Sequence, residues 1–335
     1  MIRVGIPRAL LYYQYYPAWK TFFEELGAEV VVSPPTSQAA VTSGSSRVVA
    51  DTCLPVKVFL GHILSLVDKV DYIFVPAVRS VKSQVYNCAK FLGLPDMTSA
   101  VIPEAPPILD VDIDVNRGKR ELYQSIYRLG RHFTWSPLKV RRAGLAAWQS
   151  HQNYRELMSS HGLTPPQAIE RITGTSPVEP GVSLAEPDSV LGTIALVGHP
   201  YLLYDEHITH RLLNRLKQAH YRIVTPEMLA AAELDSGIAR IAGKAYWTYE
   251  EEVVGAAGHY LQTSVDGIIG IMAFGCGPDS VMMDMVRREA IRKADTSFMS
   301  LTLEEHTAEA GLITRLEAFL DMILRKKRSG AAVCV

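Results

Sequence analysis

The sequence predicts an α/β protein of two parallel-sheet domains, related by duplication, with a helical segment between them. Three observations carry this. Short apolar runs such as Tyr72–Val78 and Gly267–Phe274 alternate with segments of helical periodicity, the pattern of a parallel sheet covered on both faces. Residues 116–172 are helical in pattern throughout, with Arg, Glu and Gln between apolar positions. Motifs from the start of the chain then recur in its second half.

Ile2–Ile6 reads as a strand, about Pro17–Leu26 as a helix ended by Gly27, and Glu29–Ser33 as a strand stopped by Pro34-Pro35. A Ser/Thr/Gly-rich loop follows. Pro55–Asp68 reads as a helix with Asp51 or Thr52 as its N-cap, and Tyr72–Val78 as a buried strand bounded by Asp71 and Arg79. Residues 173–190, rich in Pro, Gly, Ser and Glu, form the expected linker. The second half reads strand Thr193–Val197, helix His207–Ala219, strand Tyr221–Thr225 and a helix around Glu250–Gln262. Strand Gly267–Phe274, a helix from about Asp279, strand Phe298–Leu303 and a last helix from about Gly311 complete it.

The repeat places Gly5-Ile6-Pro7 over Gly198-His199-Pro200, Leu10 over Leu203 and Phe23 over Leu216. Gly61-His62 falls on Gly258-His259, and Asp71-Tyr72-Ile73 on Asp266-Gly267-Ile268. Any two strand–helix–strand units share apolar periodicity, so the Gly-x-Pro and Gly-His identities carry the duplication. The expected domains are 1–115 (α/β), 116–190 (helical segment and linker) and 191–335 (α/β).

Thirty-four basic and thirty-five acidic side chains leave a net charge of −1, which gives no electrostatic footprint for nucleic acid. The one dense basic run, Arg325 to Arg328, closes the last helix, where cations complement the helix dipole. No apolar stretch approaches the ~20 residues that span a bilayer, and no leader precedes the first strand, so a cytoplasmic protein without a membrane segment is expected. Thiols stay reduced there, and the four cysteines then point to metal binding, catalysis or burial.

Ligands of open α/β sheets collect beyond the carboxyl ends of the strands. Cys276 lies there, in Gly275-Cys276-Gly277-Pro278, where glycines admit a bulky ligand and a helix start favours a thiolate. Cys53 opens the helix at Leu54-Pro55, and Cys88 sits in the loop after Tyr72–Val78. Each could instead be a buried structural thiol; Cys334, in the tail, is expected to ligate nothing. Three such thiols suit zinc or an iron–sulfur cluster, and the absence of Cys-x2-Cys argues against a zinc ribbon or a bacterial-type ferredoxin.

At these cysteines the sequence resembles the acyl-CoA dehydratase activase-related proteins. The motifs are Gly5-Ile6-Pro7-Arg8-Ala9-Leu10, Asp51-Thr52-Cys53-Leu54-Pro55-Val56-Lys57 and Ala273-Phe274-Gly275-Cys276-Gly277-Pro278-Asp279. Tyr246-Trp247-Thr248-Tyr249-Glu250-Glu251-Glu252 and Glu304-Glu305-His306-Thr307-Ala308-Glu309-Ala310-Gly311 belong with them. The wider group of 2-hydroxyacyl-CoA dehydratase and benzoyl-CoA reductase subunits includes the double-cubane cluster proteins. The resemblance implies paired Rossmann-type domains around a 4Fe–4S cluster, or a double-cubane cluster, held by Cys53, Cys88 and Cys276. It also implies anaerobic, low-potential chemistry fed with single electrons by an ATP-hydrolysing iron–sulfur activator. No phosphate-binding loop is present, so the activator is expected to be a separate protein, and Ala89 stands where the family pattern leads one to expect proline.

Glu305 and His306 are candidates for passing protons to a substrate at the cluster; the alternative is a polar loop in which Arg315 pairs a carboxylate. His199 and His207 flank the second Gly-x-Pro loop, and Lys57 and Lys90 follow their cysteines closely enough to offset a thiolate cluster. The tyrosines at positions 12, 13, 15 and 16 suit a core stripe better than a crevice. Three functions follow: a reductase or dehydratase-like component, an electron-transfer or assembly partner of a dehydratase, or a zinc-stabilised interaction domain. A homo- or heterodimer is also expected, since one face of such a cleft is often completed by a partner.

Overall fold

The computed structural model describes residues 1–175, 189–293 and 296–331, which leaves most of the expected linker and Cys334 outside the described residues. The first half runs β1 (Arg3–Ile6), α1 (Tyr12–Leu26), β2 (Glu29–Val32), α2 (Gln38–Ser45), α3 (Leu54–Leu66), β3 (Tyr72–Phe74) and β4 (Ala77–Ser80). It continues through α4 (Ala89–Leu92), α5 (Leu94–Val101), β5 (Ile108–Leu109) and β6 (Asp112–Asp114) into α6 (Lys119–Gly130), α7 (Pro137–His161) and α8 (Pro165–Thr173). The second half runs β7 (Gly192–Val197), α9 (Pro200–Leu203), α10 (Leu212–Gln218), β8 (Tyr221–Val224), α11 (Ala231–Ile241) and α12 (Val254–Tyr260). It ends with β9 (Gly267–Ala273), α13 (Gly277–Lys293), β10 (Ser297–Leu303) and α14 (Glu309–Ala331).

Two four-stranded parallel sheets form, β2-β1-β3-β5 and β8-β7-β9-β10. They have the same strand order, as the sequence repeat predicts, and both are Rossmann-like. The expected strand Tyr72–Val78 is two strands: β3 pairs β5, while β4 leaves the sheet to pair β6. Apolar composition cannot show that change of partner, because both pieces are equally buried.

Several helices depart from expectation, among them α4, α5 and α9, which the sequence does not predict. Helix α1 starts at Tyr12 and carries Pro17 inside it, rather than starting at Pro17. Proline deprives the Tyr13 carbonyl of its helical partner. The Tyr154 hydroxyl of α7 takes that place, donating to Tyr13 O at 2.6 Å from a fully buried position. Helix α2 forms within the Ser/Thr/Gly-rich loop, where Ser37 caps it by accepting from Ala40 N–H. Helix α11 has no counterpart in the sequence reading, and it packs on α12 as α2 packs on α3.

One apolar core runs through both halves, from Val4, Phe23, Leu60 and Ile73 to Ile194, Leu196, Ile269 and Leu303. Complete burial of each such side chain stabilises the fold by roughly 1.5–3 kcal/mol. Tyr12, Tyr13 and Tyr16 belong to it, as the core reading of that stripe predicts. Polar contacts join the halves as well: Tyr13 Oη donates to Tyr204 O (3.0 Å), and the Tyr15 and Tyr249 hydroxyls meet at 3.0 Å. Among the described residues, no helix is long and apolar enough to cross a membrane.

Candidate functional site

Each of the three expected cysteine ligands opens a helix. Cys53 (φ −62°, ψ 146°) is the N-cap of α3, the place the sequence assigned to Asp51 or Thr52, and Cys88 (φ −64°, ψ 156°) is the N-cap of α4. Cys276 immediately precedes α13, and its carbonyl accepts from Ser280 N–H at 3.2 Å and Ser280 Oγ at 2.7 Å. Cys53 and Cys88 have extended backbone ahead of a first turn, and neither side chain makes a capping hydrogen bond. The Val56 N–H donates to the Cys53 carbonyl at 3.1 Å.

The three come from both halves. Gly275 adopts φ +75°, in the left-handed region, and a Cβ there would stand 3.7 Å from Cys53 Cα, so the loop before Cys276 lies on the Cys53 turn. The charge of Lys90, two residues past Cys88, acts on Cys53. The Cys88 loop is pinned to the second half through Thr248 N–H, which donates to Tyr86 O at 3.1 Å.

Burial pushes the Cys53 thiol up, against the pull of Lys90. Burial also pushes Cys276 up, reinforced by the Asp279 carboxylate. Thiols raised in this way are poor nucleophiles but ionise on a cationic centre. The donor set therefore fits a metal-containing group better than covalent catalysis. Among the described residues, no three His, Cys, Asp or Glu side chains gather tightly enough for a single ion. A zinc ion draws thiolates to about 2.3 Å from one point, whereas each thiolate of a cubane takes its own iron and stands farther from the next.

Beside Cys276 lies a buried triad of which only His199 stands out in the sequence as a candidate. His199 Nδ1 is 2.6 Å from Glu252 Oε2 and its Nε2 is 2.9 Å from Asp279 Oδ1. Burial opposes the cation, but the two carboxylates outweigh it and raise His199 to about 10. Glu252 closes the Tyr246–Glu252 motif, in which Glu250 Oε2 accepts from Tyr246 N–H and Trp247 N–H. The signal for the triad was present in three motifs far apart in sequence, and only the fold joins them.

Of the proposed proton carriers, Glu305 is paired with buried Lys57, and His306 is exposed. Burial works against ionisation of Glu305, yet the Lys57 ammonium holds it below the usual carboxylate range. Arg315 pairs neither; from α14 it donates to Ser300 O of β10 at 2.7 Å. Lys57 is thus a buried link between halves rather than a solvated lysine, and it also donates to Ala50 O (2.8 Å).

A second buried histidine links the halves below the cysteines. Arg8 N–H donates to Ser33 Oγ (2.8 Å), which meets His62 Nδ1 (2.8 Å). On the far side Thr36 Oγ1 contacts His62 Nε2 (2.9 Å) and donates to Asp205 Oδ2 (2.5 Å). Thr36 has one hydroxyl proton, given to Asp205, so His62 Nε2–H must donate to Thr36 and Nδ1 must accept from Ser33. Burial, with Arg8 adding to it, lowers His62 to about 3, against ~6.5 unfolded. A depressed histidine contributes stability above its unfolded value and loses it as pH falls toward the folded one. Urea unfolding of wild type and His62→Gln at pH 7 and pH 5 is expected to show the wild type losing about 2 kcal/mol more than the variant. Parallel losses would mean that His62 takes up its proton in the folded state.

The family model described as "CoA enzyme activase uncharacterised domain" matches residues 3–229, well over half of the 335 residues. The match includes Cys53, Cys88 and His199 and stops before Cys276. No curated protein matches the chain. On this evidence the chain belongs to the CoA enzyme activase domain family.

Proposed function

We propose that Cys53, Cys88 and Cys276 hold a 4Fe–4S cluster between the two sheets, and that the protein is a cluster-bearing redox component of a dehydratase-type CoA-ester system. What supports this best is that Cys53, Cys88 and Cys276 each start a helix, and that the turn before Cys276 in the second half lies on the Cys53 turn of the first. Bound there, a cluster would supply one-electron transfer at low potential. The charge of Lys90 offsets negative charge at Cys53. Glu305 and His306, at the start of the loop after β10, are the proposed route for protons. Electrons would come from a separate ATP-hydrolysing iron–sulfur activator, and the family's association with CoA enzymes supports a dehydratase as the protein partner.

Within this proposal, three thiolates leave one iron free of protein ligands, which favours a reductase or dehydratase-like role. The activase description favours the second reading, an electron-transfer or assembly partner of the dehydratase. Iron and acid-labile sulfide on protein purified without oxygen, with EPR after dithionite, test the cluster. About four irons with matching sulfide are expected, and about eight would indicate the double-cubane form. Stoichiometric zinc without sulfide would overturn the proposal in favour of a structural metal site. Turnover of a CoA ester with reductant and activator then separates enzyme from carrier.

A further inference from the structure

We propose that the outward face of α7 is the docking surface for an acidic protein partner, with Leu138, Leu145 and Trp148 as its apolar centre and Arg141 and Arg142 set among them. Such docking needs nothing from the cysteines, so it stands or falls apart from the cluster.

Helix α7 has two opposed faces. Val140, Ala143, Tyr154 and Met158 are buried, and the helix packs on α1. At 3.6 residues per turn these four lie within about 60° of arc. Leu138, Arg141, Arg142, Leu145 and Trp148 lie within about 120° on the opposite side, where a surface helix ordinarily carries polar residues alone. Leu138, Leu145 and Trp148 are 60% to 75% exposed, as is Trp135 at the turn into the helix. One exposed leucine is ordinary on a protein surface, whereas an aligned series of large apolar side chains among polar ones marks an interaction site. Trp148 is also held in place: its ring lies 6.0 Å from that of His151, which stacks on Tyr15 of α1 at 5.3 Å. An anchor ordered before its partner arrives costs less to bind.

Charge identifies the occupant. Residues 119–161, from the start of α6 to the end of α7, carry eight Lys or Arg side chains against two Glu, in a chain whose net charge is −1. Six of the eight are Arg. Arg141 is exposed and, among the described residues, is in no ion pair; Arg142 meets Glu25 at 3.4 Å, and the Arg131 guanidinium stands 4.0 Å from the centre of the Trp135 ring. Contacts between proteins favour Trp and Arg and avoid Lys, and Arg takes carboxylates through paired hydrogen bonds. A second copy presenting this same face would set one excess of cations against another. A bilayer could not take up Leu138 and Leu145 without drawing down the guanidinium groups between them, and a phosphate backbone offers the leucines and Trp148 nothing apolar. A protein surface with Asp or Glu interspersed among apolar side chains satisfies all five residues.

The test uses the full chain and three variants: Trp148→Ala, Arg141→Glu and, as a control on an exposed apolar side chain elsewhere, Met322→Ala of α14. All three side chains face solvent, so melting temperatures are expected to move by no more than about 2 °C. Proteins retained by tagged wild type from soluble extract of its source cells are identified by mass spectrometry, purified and titrated against each variant. The expected result is an acidic protein whose dissociation constant rises about thirtyfold in Trp148→Ala and about tenfold in Arg141→Glu, stays put in Met322→Ala, and rises with salt. No retained protein, or one bound equally by wild type, Trp148→Ala and Arg141→Glu, would overturn the proposal. Three parallel measurements cover the other occupants: sedimentation of the protein alone, flotation with phosphatidylglycerol vesicles, and a gel shift with duplex DNA. A wild-type dimer, vesicle binding or DNA binding that Trp148→Ala abolishes would give the face to that occupant and likewise overturn the proposal. If Trp148→Ala does not fold, an unchanged affinity in Arg141→Glu overturns it alone.

Discussion

Cys276→Ala is expected to lose most of its iron and sulfide, falling from about four irons per chain to under one, while Cys334→Ala keeps both. Cys276 is the one proposed ligand from the second half, on the turn whose Gly275 lies against Cys53. Without it the remaining thiols all come from the first half, and the cluster no longer closes the crevice. Loss of a group that binds only the folded state also removes its stabilisation, about 4 kcal/mol when that group is present at a thousandfold above its dissociation constant. The loaded wild type should therefore unfold at a higher temperature than the variant, whereas the two metal-free proteins should differ little. Iron and sulfide assays on anaerobically purified protein decide the matter, and a full cluster in Cys276→Ala would remove Cys276 from the ligand set. Cys53→Ala and Cys88→Ala are expected to behave in the same way.

The parts of this site that could be read in the sequence are those that short motifs define. Cys276 beyond β9 follows from an apolar strand ending in Gly-Cys-Gly-Pro, and Cys53 ahead of Leu54-Pro55 follows from proline's fitness for a first helical turn. Glu305 was visible as a charged group after a strand, but its partner was not, because Lys57 lies on a helix of the other half. The His199 triad was hidden for the same reason: its members are on three elements separated by dozens of residues. Local chemistry defeated the reading elsewhere. Pro17 looks like a helix start unless one knows that Tyr154 will satisfy the carbonyl it orphans, and α2 looks like a loop because Ser, Thr and Gly are weak helix formers. Strand order fared better, since a repeat of motifs predicts a repeat of topology, and the two sheets share one order.

Gly61→Ala is expected to be among the most destabilising single changes outside the apolar core. A Cβ at Gly61 would lie 1.9 Å from Ala40 O, and one at Gly44 would lie 1.9 Å from Lys57 O and 2.6 Å from Gly61 N. Both obstacles are backbone, so no side chain can swing aside; α2 and α3 must separate. Overpacking costs about 1–3 kcal/mol where a core can adjust, and this crossing, closed by backbone from both helices, belongs at or above the upper end. The second half repeats the device: a Cβ at Gly237 would lie 1.9 Å from Gly255 O, and one at Gly258 2.3 Å from Gly237 O. Hence the Gly-His pair shared by the two halves records a helix crossing that duplication copied, with the histidines as passengers that diverged: His62 is buried and bonded on both nitrogens, while His259 is partly exposed. The contrast is Gly144 in α7, where an added Cβ meets nothing within 4 Å. Gly144→Ala is expected to stabilise by about 0.5–1 kcal/mol, because alanine restricts the unfolded chain and suits a helix interior. Urea midpoints for the two variants should move in opposite directions. Because α3 carries Cys53 at its N-cap, Gly61→Ala should also lower iron retention, and Gly144→Ala should not. A Gly61→Ala protein with wild-type midpoint and iron content would show that α2 and α3 do not cross this closely, and would release Cys53 from the position that the crossing gives it.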